Sequence, residues 1–477
     1  MGAHPVATTV RALPAMRLPV VGPSLGALAV TCAALAASLF AGWNVARGSL
    51  LLWAPVLLAL LALYVSVRPE VLFVGWLFAA PFIQESARET PIGSALTNVL
   101  YVLPLGVFLI HFMGSNTLAR WGRWYDVLPI GYLALILASQ AFVDASELKS
   151  PSFYTTLLHA GVLVGVSMYY FCAFGPMHRL SPRHVAVALL SSCSIVGALG
   201  IVEHFARWNL WGQDLGEEPV RIVVTLSQPA VLGAFLGAGI VTATAALVWD
   251  GPRILRRLSV VTLALTLPAL FFTYTRGGMI ATITVASVLI AMRPRTRAIG
   301  AGAAVLAALL VWANWGDISN NSLYQQRAAD TVNVTGRLVQ DQAALDLTAQ
   351  RPLLGWGYGQ YDEAKKGVEF LSPGSLSERS LYYYTSHNTF LTILVELGVA
   401  GVAILFLPWL IVVGRTLRRL GSAPNPEWFT LSLLGILGVY VLTSFTTDMR
   451  FFSFVPALAW IAVGLLRRGL WDETSLA

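Results

Sequence analysis

The sequence predicts an all-α polytopic membrane protein with about 12–14 transmembrane helices and one long extracytoplasmic helical loop. Of its 477 residues, 56% are hydrophobic and 12% are charged, whereas soluble domains carry about 25% charged residues. The apolar residues form runs that approach or reach the length of about 20 residues needed to cross a bilayer as a helix. Arginine clusters separate many of these runs. Together these observations exclude a soluble globular domain.

The apolar runs divide the chain into three parts. Residues 1–315 hold transmembrane helices about 1–11, residues 316–386 form the loop, and residues 387–477 hold the last three helices and a short cytoplasmic tail. The predicted spans lie near 22–42, 50–67, 71–83, 96–113, 127–143, 155–174, 184–203, 228–249, 258–273, 278–292, 298–315, 389–413, 428–446 and 451–466. Only three residues separate the second run from the third, so those two could form one re-entrant unit.

Arginine distribution predicts the orientation, because cytoplasmic loops of membrane proteins are enriched in Lys and Arg. With the N-terminus inside, every Arg cluster falls on the cytoplasmic side and the long loop falls outside. Those clusters are Arg120/Arg123, Arg179/Arg183, Arg253/Arg256/Arg257, Arg293/Arg295/Arg297, Arg415/Arg418/Arg419 and Arg467/Arg468. Both termini are then cytoplasmic. The net charge of +7 is therefore attributed to the arginines of the cytoplasmic loops, and no nucleic-acid partner is predicted.

The extracytoplasmic loop predicts a helix near 335–350 with Leu338, Leu345 and Ala349 on one stripe. Asp341 and Asp346 are interpreted as its solvated face. A glycine-rich turn follows at 355–359, which would present aromatic side chains. The tyrosines of the segment 381–384 are typical of a membrane-interface belt, although they could also stack on sugars or prenyl chains.

His387 and Asn388 stand where this polar loop meets the apolar run that begins at Thr389. On a continuous helix, Gly398 would lie roughly 20° and Gly401 roughly 40° from His387. Small residues let a neighbouring helix approach, so His387 should point into a cleft. Glu396 would lie about 180° away and could not pair with His387 through this helix. From spacing alone, an interfacial histidine with two packing glycines is the simpler interpretation.

Arg276 and the following Gly277 and Gly278 separate two apolar runs on the same side as His387. The arginine could extend to lipid headgroups. Alternatively, the two glycines let an anion approach the backbone, and the helix that starts there offers free N–H groups. The sequence shows no pattern of metal ligands near His387, so no metal and no cofactor are predicted.

The pattern H-N-x9-G-x-x-G formed by His387, Asn388, Gly398 and Gly401 resembles a motif of the bacterial O-antigen ligase and polymerase superfamily, integral membrane glycosyltransferases. Arg276 resembles the arginine of the superfamily's R-x3-L motif, with Ile280 in place of the leucine. Arg337, about 50 residues before the motif histidine, also resembles a functional arginine of the family. Arg221 is a third candidate for binding pyrophosphate.

This resemblance implies a metal-independent enzyme that transfers a glycan from a polyprenyl-pyrophosphate donor to a hydroxyl acceptor. His387 would be catalytic and the three arginines would bind pyrophosphate. The acceptor could be a glycan, a lipid core or a protein. The reaction would take place on the outer face of the bacterial cytoplasmic membrane, in contact with membrane lipids. The rival interpretation is a transporter or flippase of lipid-linked glycan, for which charges deep in several spans or paired broken helices would be expected.

Overall fold

A computed structural model describes residues 69–83, 123–140, 153–175, 180–210, 221–313, 315–320, 332–366, 386–422 and 427–474. These residues form helices and connections, without a strand among them. The helices are α1 Pro69–Ala79, α2 Leu128–Ser139, α3 Phe153–Phe174, α4 Pro182–Ala206, α5 Pro229–Val248, α6 Arg253–Phe272, α7 Arg276–Ala291, α8 Pro294–Ala313, α9 Trp315–Asn320, α10 Val332–Gln350, α11 Tyr361–Lys366, α12 Thr389–Ser422, α13 Trp428–Ser444 and α14 Phe454–Thr474. Single 3₁₀ turns lie at Ala80–Phe82, Trp124–Asp126 and Met449–Phe451.

The helices confirm the predicted fold class, an all-α polytopic membrane protein. Within the described ranges, four helices are long and apolar enough to cross a membrane: α4, α5, α6 and the stretch Thr389–Gly421 of α12. The other predicted runs that fall on described residues also coincide with helices. The runs near 22–42, 50–67 and 96–113 lie outside the described residues. The doubtful run at 71–83 overlaps α1 and the 3₁₀ turn that follows it.

Helix α5 forms the centre of the bundle, because its small residues let neighbouring helices approach closely. Sixteen of its 20 residues are buried. A Cβ atom added at Gly239 would lie 2.7 Å from Cβ of Cys193 in α4, and one added at Gly233 would lie 2.7 Å from Oγ1 of Thr275. The site-bearing connection between α6 and α7 therefore packs directly on the most buried helix.

Two of the predicted arginine clusters contact the same 3₁₀ turn, Trp124–Asp126, at one end of the bundle. At this end, Arg467 makes a bidentate ion pair with Asp126, with two N···O distances of 2.8 Å. Arg415 donates to the hydroxyl of Tyr125 in the same 3₁₀ turn, at 2.7 Å. The connections predicted to be extracytoplasmic meet at the other end, which also holds His387 and is called the histidine end below.

Candidate functional site

The turn that carries His387 is fixed on both sides by hydrogen bonds. Oδ1 of Asn388 accepts from the backbone N–H groups of Phe390 at 3.0 Å and Leu391 at 3.3 Å. Asn388 is therefore the N-cap of α12, a role that Asn fills well because it satisfies otherwise unpaired helix donors. Ser386 is buried, and its hydroxyl accepts from the N–H of Asn388 at 3.2 Å. His387 thus projects from a rigid, capped helix start.

The surroundings of His387 favour its neutral form. The side chain is half-buried. Burial lowers the pKa of His387 below its usual 6.5, the positive charge of Arg337 lowers it further, and Asp448 acts in the opposite direction. An imidazole with a lowered pKa is unprotonated at neutral pH and can accept a proton. The electrostatic environment is therefore that of a base.

Arg276 and Arg337 come together in the structure although they lie on different helices. Burial lowers the pKa of Arg337, and the next cause is the like charge of Arg276. Arg337 is nevertheless partly exposed to solvent. Neither guanidinium hydrogen-bonds to, or forms an ion pair with, another described residue. Two cations that interact in this way, with the carboxylate of Asp341 as a nearby opposite charge, are suited to a multiply charged anion.

Arg221 lies next to this pair, but its side chain has a structural partner. Its Nε donates to the carbonyl of Thr273 at 3.1 Å, three residues before Arg276. Arg221 therefore braces the connection between α6 and α7, which carries Arg276. Its role as a direct pyrophosphate ligand stays a prediction.

Protein atoms occupy the space beside Gly277 and Gly278. From the sequence, this space had been expected to admit an anion. A side chain at Gly277 would collide with Thr446, and one at Gly278 would lie 3.1 Å from the Thr275 hydroxyl and 3.4 Å from the backbone of Gly233. The two glycines let the start of α7 pack against its neighbours. They support the site by placing Arg276.

Asp341 belongs to the site, whereas the sequence had suggested a solvated helix face. It lies one helical turn after Arg337 on α10, and its Oδ1 accepts from the hydroxyl of Ser386 at 3.1 Å. Burial raises the pKa of Asp341, while the Ser386 hydrogen bond and Arg337 oppose that shift. Asp341 therefore links the helix that carries Arg337 to the turn that carries His387.

Helix α12 is interrupted at Gly398, so the continuous helix assumed for the motif is wrong. Gly398 has φ 63° and ψ −167°, a conformation that suits glycine. The turn after α10 inserts at this break. The N–H of Trp356 donates to Val395 at 3.0 Å, and the N–H of Gly357 donates to Glu396 at 2.8 Å. After the break, the N–H groups of Val399 and Ala400 donate to carbonyl groups of this turn.

Gly398 serves this insertion, whereas Gly401 packs against its own helix, so the nearest atoms at these two glycines do not belong to a neighbouring helix. A side chain at Gly398 would collide with the backbone of Leu353, and one at Gly401 would collide with Leu397 of its own helix. Gly355 has φ 69° and is packed just as closely against the backbone of Glu396. The motif therefore encodes a broken helix that holds the turn after α10.

A buried cluster of three charges lies beside the break. Arg450 forms ion pairs with Glu396 and, at 2.8 Å, with Asp448, and all three side chains are buried. Glu396 also accepts from the N–H of Tyr361 at 3.3 Å. We refer to these residues, Glu396, Asp448 and Arg450, as the charge triad. The triad connects the loop, α12 and the α13–α14 connection, and Asp448 also influences His387.

Sequence reasoning missed the triad, although signals for it existed. Glu396 is an acidic residue inside an apolar run, and Asp448 and Arg450 sit in a short connection between two others. Charges at such places need partners. The predicted tyrosine belt at 381–384 lies outside the described residues. Tyr358 and Tyr361, expected to be presented by the glycine-rich turn, are buried instead.

Comparison with known proteins found one family model that matches part of the chain. Residues 261–406 match the family model described as O-Antigen ligase. A search of curated proteins found no match. The matched segment contains Arg276, Arg337, His387, Gly398 and Gly401, and confirms the resemblance to the O-antigen ligase and polymerase superfamily. It supports a bacterial membrane protein of O-antigen ligase-like glycan transfer, with a lipid-linked glycan and an acceptor as its general partners.

Proposed function

We propose, from the O-antigen ligase domain at residues 261–406, that the protein transfers a glycan from a polyprenyl-pyrophosphate donor to a hydroxyl acceptor. One observation carries this proposal. Arg337 lies close enough to Arg276 and to His387 for electrostatic interaction, neither arginine forms an ion pair with a described residue, and the pKa of His387 is lowered. That combination offers a pyrophosphate-binding site next to a base.

The proposed reaction breaks the bond between the anomeric carbon and the pyrophosphate oxygen. Polyprenyl pyrophosphate leaves with the bonding electrons, and Arg276 and Arg337 stabilise the developing negative charge. The acceptor hydroxyl oxygen bonds to the anomeric carbon, and its proton passes to His387. The two guanidinium groups supply the positive charge for the leaving group, so we propose that the reaction needs no divalent metal.

The location proposed for this reaction is the extracytoplasmic face of the bacterial inner membrane, with both termini in the cytoplasm. The arginine clusters carry that part of the proposal. Ser319 lies at the histidine end, in α9, and Ser422 lies at the far end of α12. In a cysteine-free background, Ser319→Cys should react with an impermeant thiol reagent in spheroplasts, whereas Ser422→Cys should not. The reverse pattern would invert the orientation.

A flippase of lipid-linked glycan is the alternative, and the break at Gly398 is a feature that such a protein could share. Transporters bind substrate at paired broken helices near the membrane midplane. Within the described residues, α12 is the helix with a non-helical residue inside. The loop fills this break with backbone hydrogen bonds, so it leaves no open binding site. The structure therefore favours transfer over transport.

The test is glycan transfer by the purified, reconstituted protein, measured as release of polyprenyl pyrophosphate. Arg276→Lys and Arg337→Lys should each lose activity, because lysine does not reproduce a bidentate guanidinium–phosphate pair. Loss of one charge-assisted bond costs about 1.5–3 kcal/mol, roughly ten- to a hundredfold in rate. Arg351→Lys is a matched control, since Arg351 is exposed and stacks on Trp356.

Two results would overturn the proposed mechanism. Full activity in both lysine variants would show that the arginines act only as anchors. Loss of activity on chelation that Mg²⁺ restores would show that a metal supplies the positive charge. A knockout strain should accumulate lipid-linked glycan on the outer leaflet. Accumulation on the inner leaflet would favour the flippase.

A further inference from the structure

Helix α10 carries an apolar stripe that faces away from the rest of the protein. Leu338 is 64% exposed and Leu345 is 48% exposed. The turn that follows the helix adds Leu353 at 71% and Leu354 at 48%. We call these four leucines the leucine face. The sequence had placed Leu338, Leu345 and Ala349 on one stripe, and the structure shows that this stripe is the exposed one.

The opposite side of α10 packs on the protein. Ala344 and Leu347 are fully buried and form one cluster with Tyr361 of α11 and Val395 of α12. At about 100° per residue, Leu347 lies roughly 160° from Leu345 around the helix. Both sides of α10 are thus apolar, although only one packs against other described residues. An exposed apolar patch of this kind marks a surface for interaction.

The leucine face continues the lipid-facing surface of α12. The N–H of Val399 donates to the carbonyl of Pro352 at 2.9 Å, and that of Ala400 donates to Leu353 at 3.2 Å. Val399 is 53% exposed and Leu410, further along the same helix, is 68% exposed. Because α12 spans the membrane, such side chains face acyl chains. The hydrogen bond from Ala400 therefore holds Leu353 at the same depth as this part of α12.

The length of α12 places this level inside the bilayer. From Ala400 to the Arg415 cluster the helix rises about 23 Å, at 1.5 Å per residue. The hydrocarbon core is about 30 Å thick. With the arginines at the far interface, Leu353 therefore lies within the hydrocarbon on the histidine side.

We propose that the leucine face inserts into the membrane leaflet on the histidine side, with lipid acyl chains as its partner. Helix α10 is then an interfacial helix and not a solvated loop element. Arg337 and Asp341, on the flank of the same helix, lie at the depth of lipid headgroups. A pyrophosphate attached to a membrane-embedded chain would be presented at this depth.

Site-directed spin labelling of the full chain tests this insertion. Single cysteines replace Leu338, Leu345 or Leu353 in a background without Cys32, Cys172 and Cys193. Each variant is reconstituted into vesicles of phosphatidylethanolamine and phosphatidylglycerol. The accessibility of the nitroxide to oxygen, which concentrates in the bilayer, is compared with its accessibility to a water-soluble nickel chelate. Asp346→Cys, an exposed position about 100° from Leu345 on the same helix, is the matched control.

The labels at the three leucine positions should be several-fold more accessible to oxygen than to the nickel chelate, and the label at Asp346 should show the opposite preference. Equal exposure of all four labels to the nickel chelate would place α10 in water and overturn the proposal. Low accessibility to both reagents at the leucine positions would also overturn it, because protein would then cover the face. Residues 367–385 or a second copy of the chain could provide that cover. This measurement requires no catalytic activity, so it is independent of the proposed reaction.

Discussion

Arg450 is the cation of the charge triad, and its replacement by methionine should destabilise the protein strongly. Its Nε and Nη2 hydrogen-bond to the carboxylate of Asp448 at 2.8–3.2 Å, and Nη1 pairs with Glu396. Arg450→Met leaves two buried carboxylates without a cation. Removal of one partner from a buried ion pair costs about 3–5 kcal/mol, and we expect a loss of that size in the free energy of unfolding.

Glu396→Gln is the matched comparison, because it removes a charge while it keeps the shape. The Arg450–Asp448 pair remains. One oxygen of Glu396 accepts from the N–H of Tyr361 and the other accepts from Arg450, so the single glutamine oxygen can keep the bond to Arg450 while the N–H of Tyr361 loses its acceptor. A charge-assisted bond worth about 1.5–3 kcal/mol becomes a neutral one worth about 0.5–1.5 kcal/mol. The lost acceptor of the Tyr361 N–H adds at least about 1 kcal/mol, so the expected loss is about 2 kcal/mol, still below that of Arg450→Met.

The assay is unfolding of the detergent-purified protein in a titration with denaturing detergent, at several pH values. The double variant Glu396→Gln/Arg450→Met should be more stable than Arg450→Met alone, because one stranded carboxylate is gone. Lower pH should also recover part of the stability of Arg450→Met, since protonation removes the uncompensated charge. Equal losses in the two single variants, or an Arg450→Met deficit that does not depend on pH, would refute this electrostatic reasoning.

Three further predictions concern the site. Gly398→Ala should prevent accumulation of folded protein, because a side chain there meets the inserted loop backbone; normal levels in membranes would contradict this. Asn388→Ala should cost about 1 kcal/mol of stability through loss of the N-cap, and Asn388→Asp should restore it; equal stability of all three proteins would exclude the capping role. Arg337→Gln should shift the acidic limb of the pH–rate profile to higher pH, because the positive charge of Arg337 lowers the pKa of His387. An unchanged limb would show that the charge of Arg337 does not influence the catalytic base.

The helices of this protein could be predicted from sequence because lipid imposes a local rule. A membrane span must be apolar over its whole length, so runs such as 229–248 can be recognised in the sequence alone. The loop helix was also predicted, and α10 runs from Val332 to Gln350. Which side of α10 packs was not predictable, since both sides are apolar and their neighbours lie far away in the sequence.

The break at Gly398 and the role of Asp341 were missed for a related reason. The hydrogen bonds that replace those of a continuous α12 come from residues 352–357, about forty positions earlier in the chain. The sequence around Gly398 contains no pattern that indicates a hydrogen-bond partner so far away in the chain. Asp341 likewise has the spacing of a solvated helix face, and only the approach of Ser386 makes it part of the site. His387, Arg276 and Arg337 were predicted as site residues because they resemble the motifs of a known family.

Glycan transfer by His387→Ala tests the central claim, that a neutral His387 takes the acceptor's proton while the arginines hold the pyrophosphate. Removal of a general base costs about 10²–10⁴-fold in rate. The variant should therefore lose transfer by at least a hundredfold. It should still bind polyprenyl pyrophosphate as tightly as the wild type and accumulate to the same level in membranes. Near-native turnover by His387→Ala at neutral pH would contradict the assignment and leave His387 as an interfacial anchor.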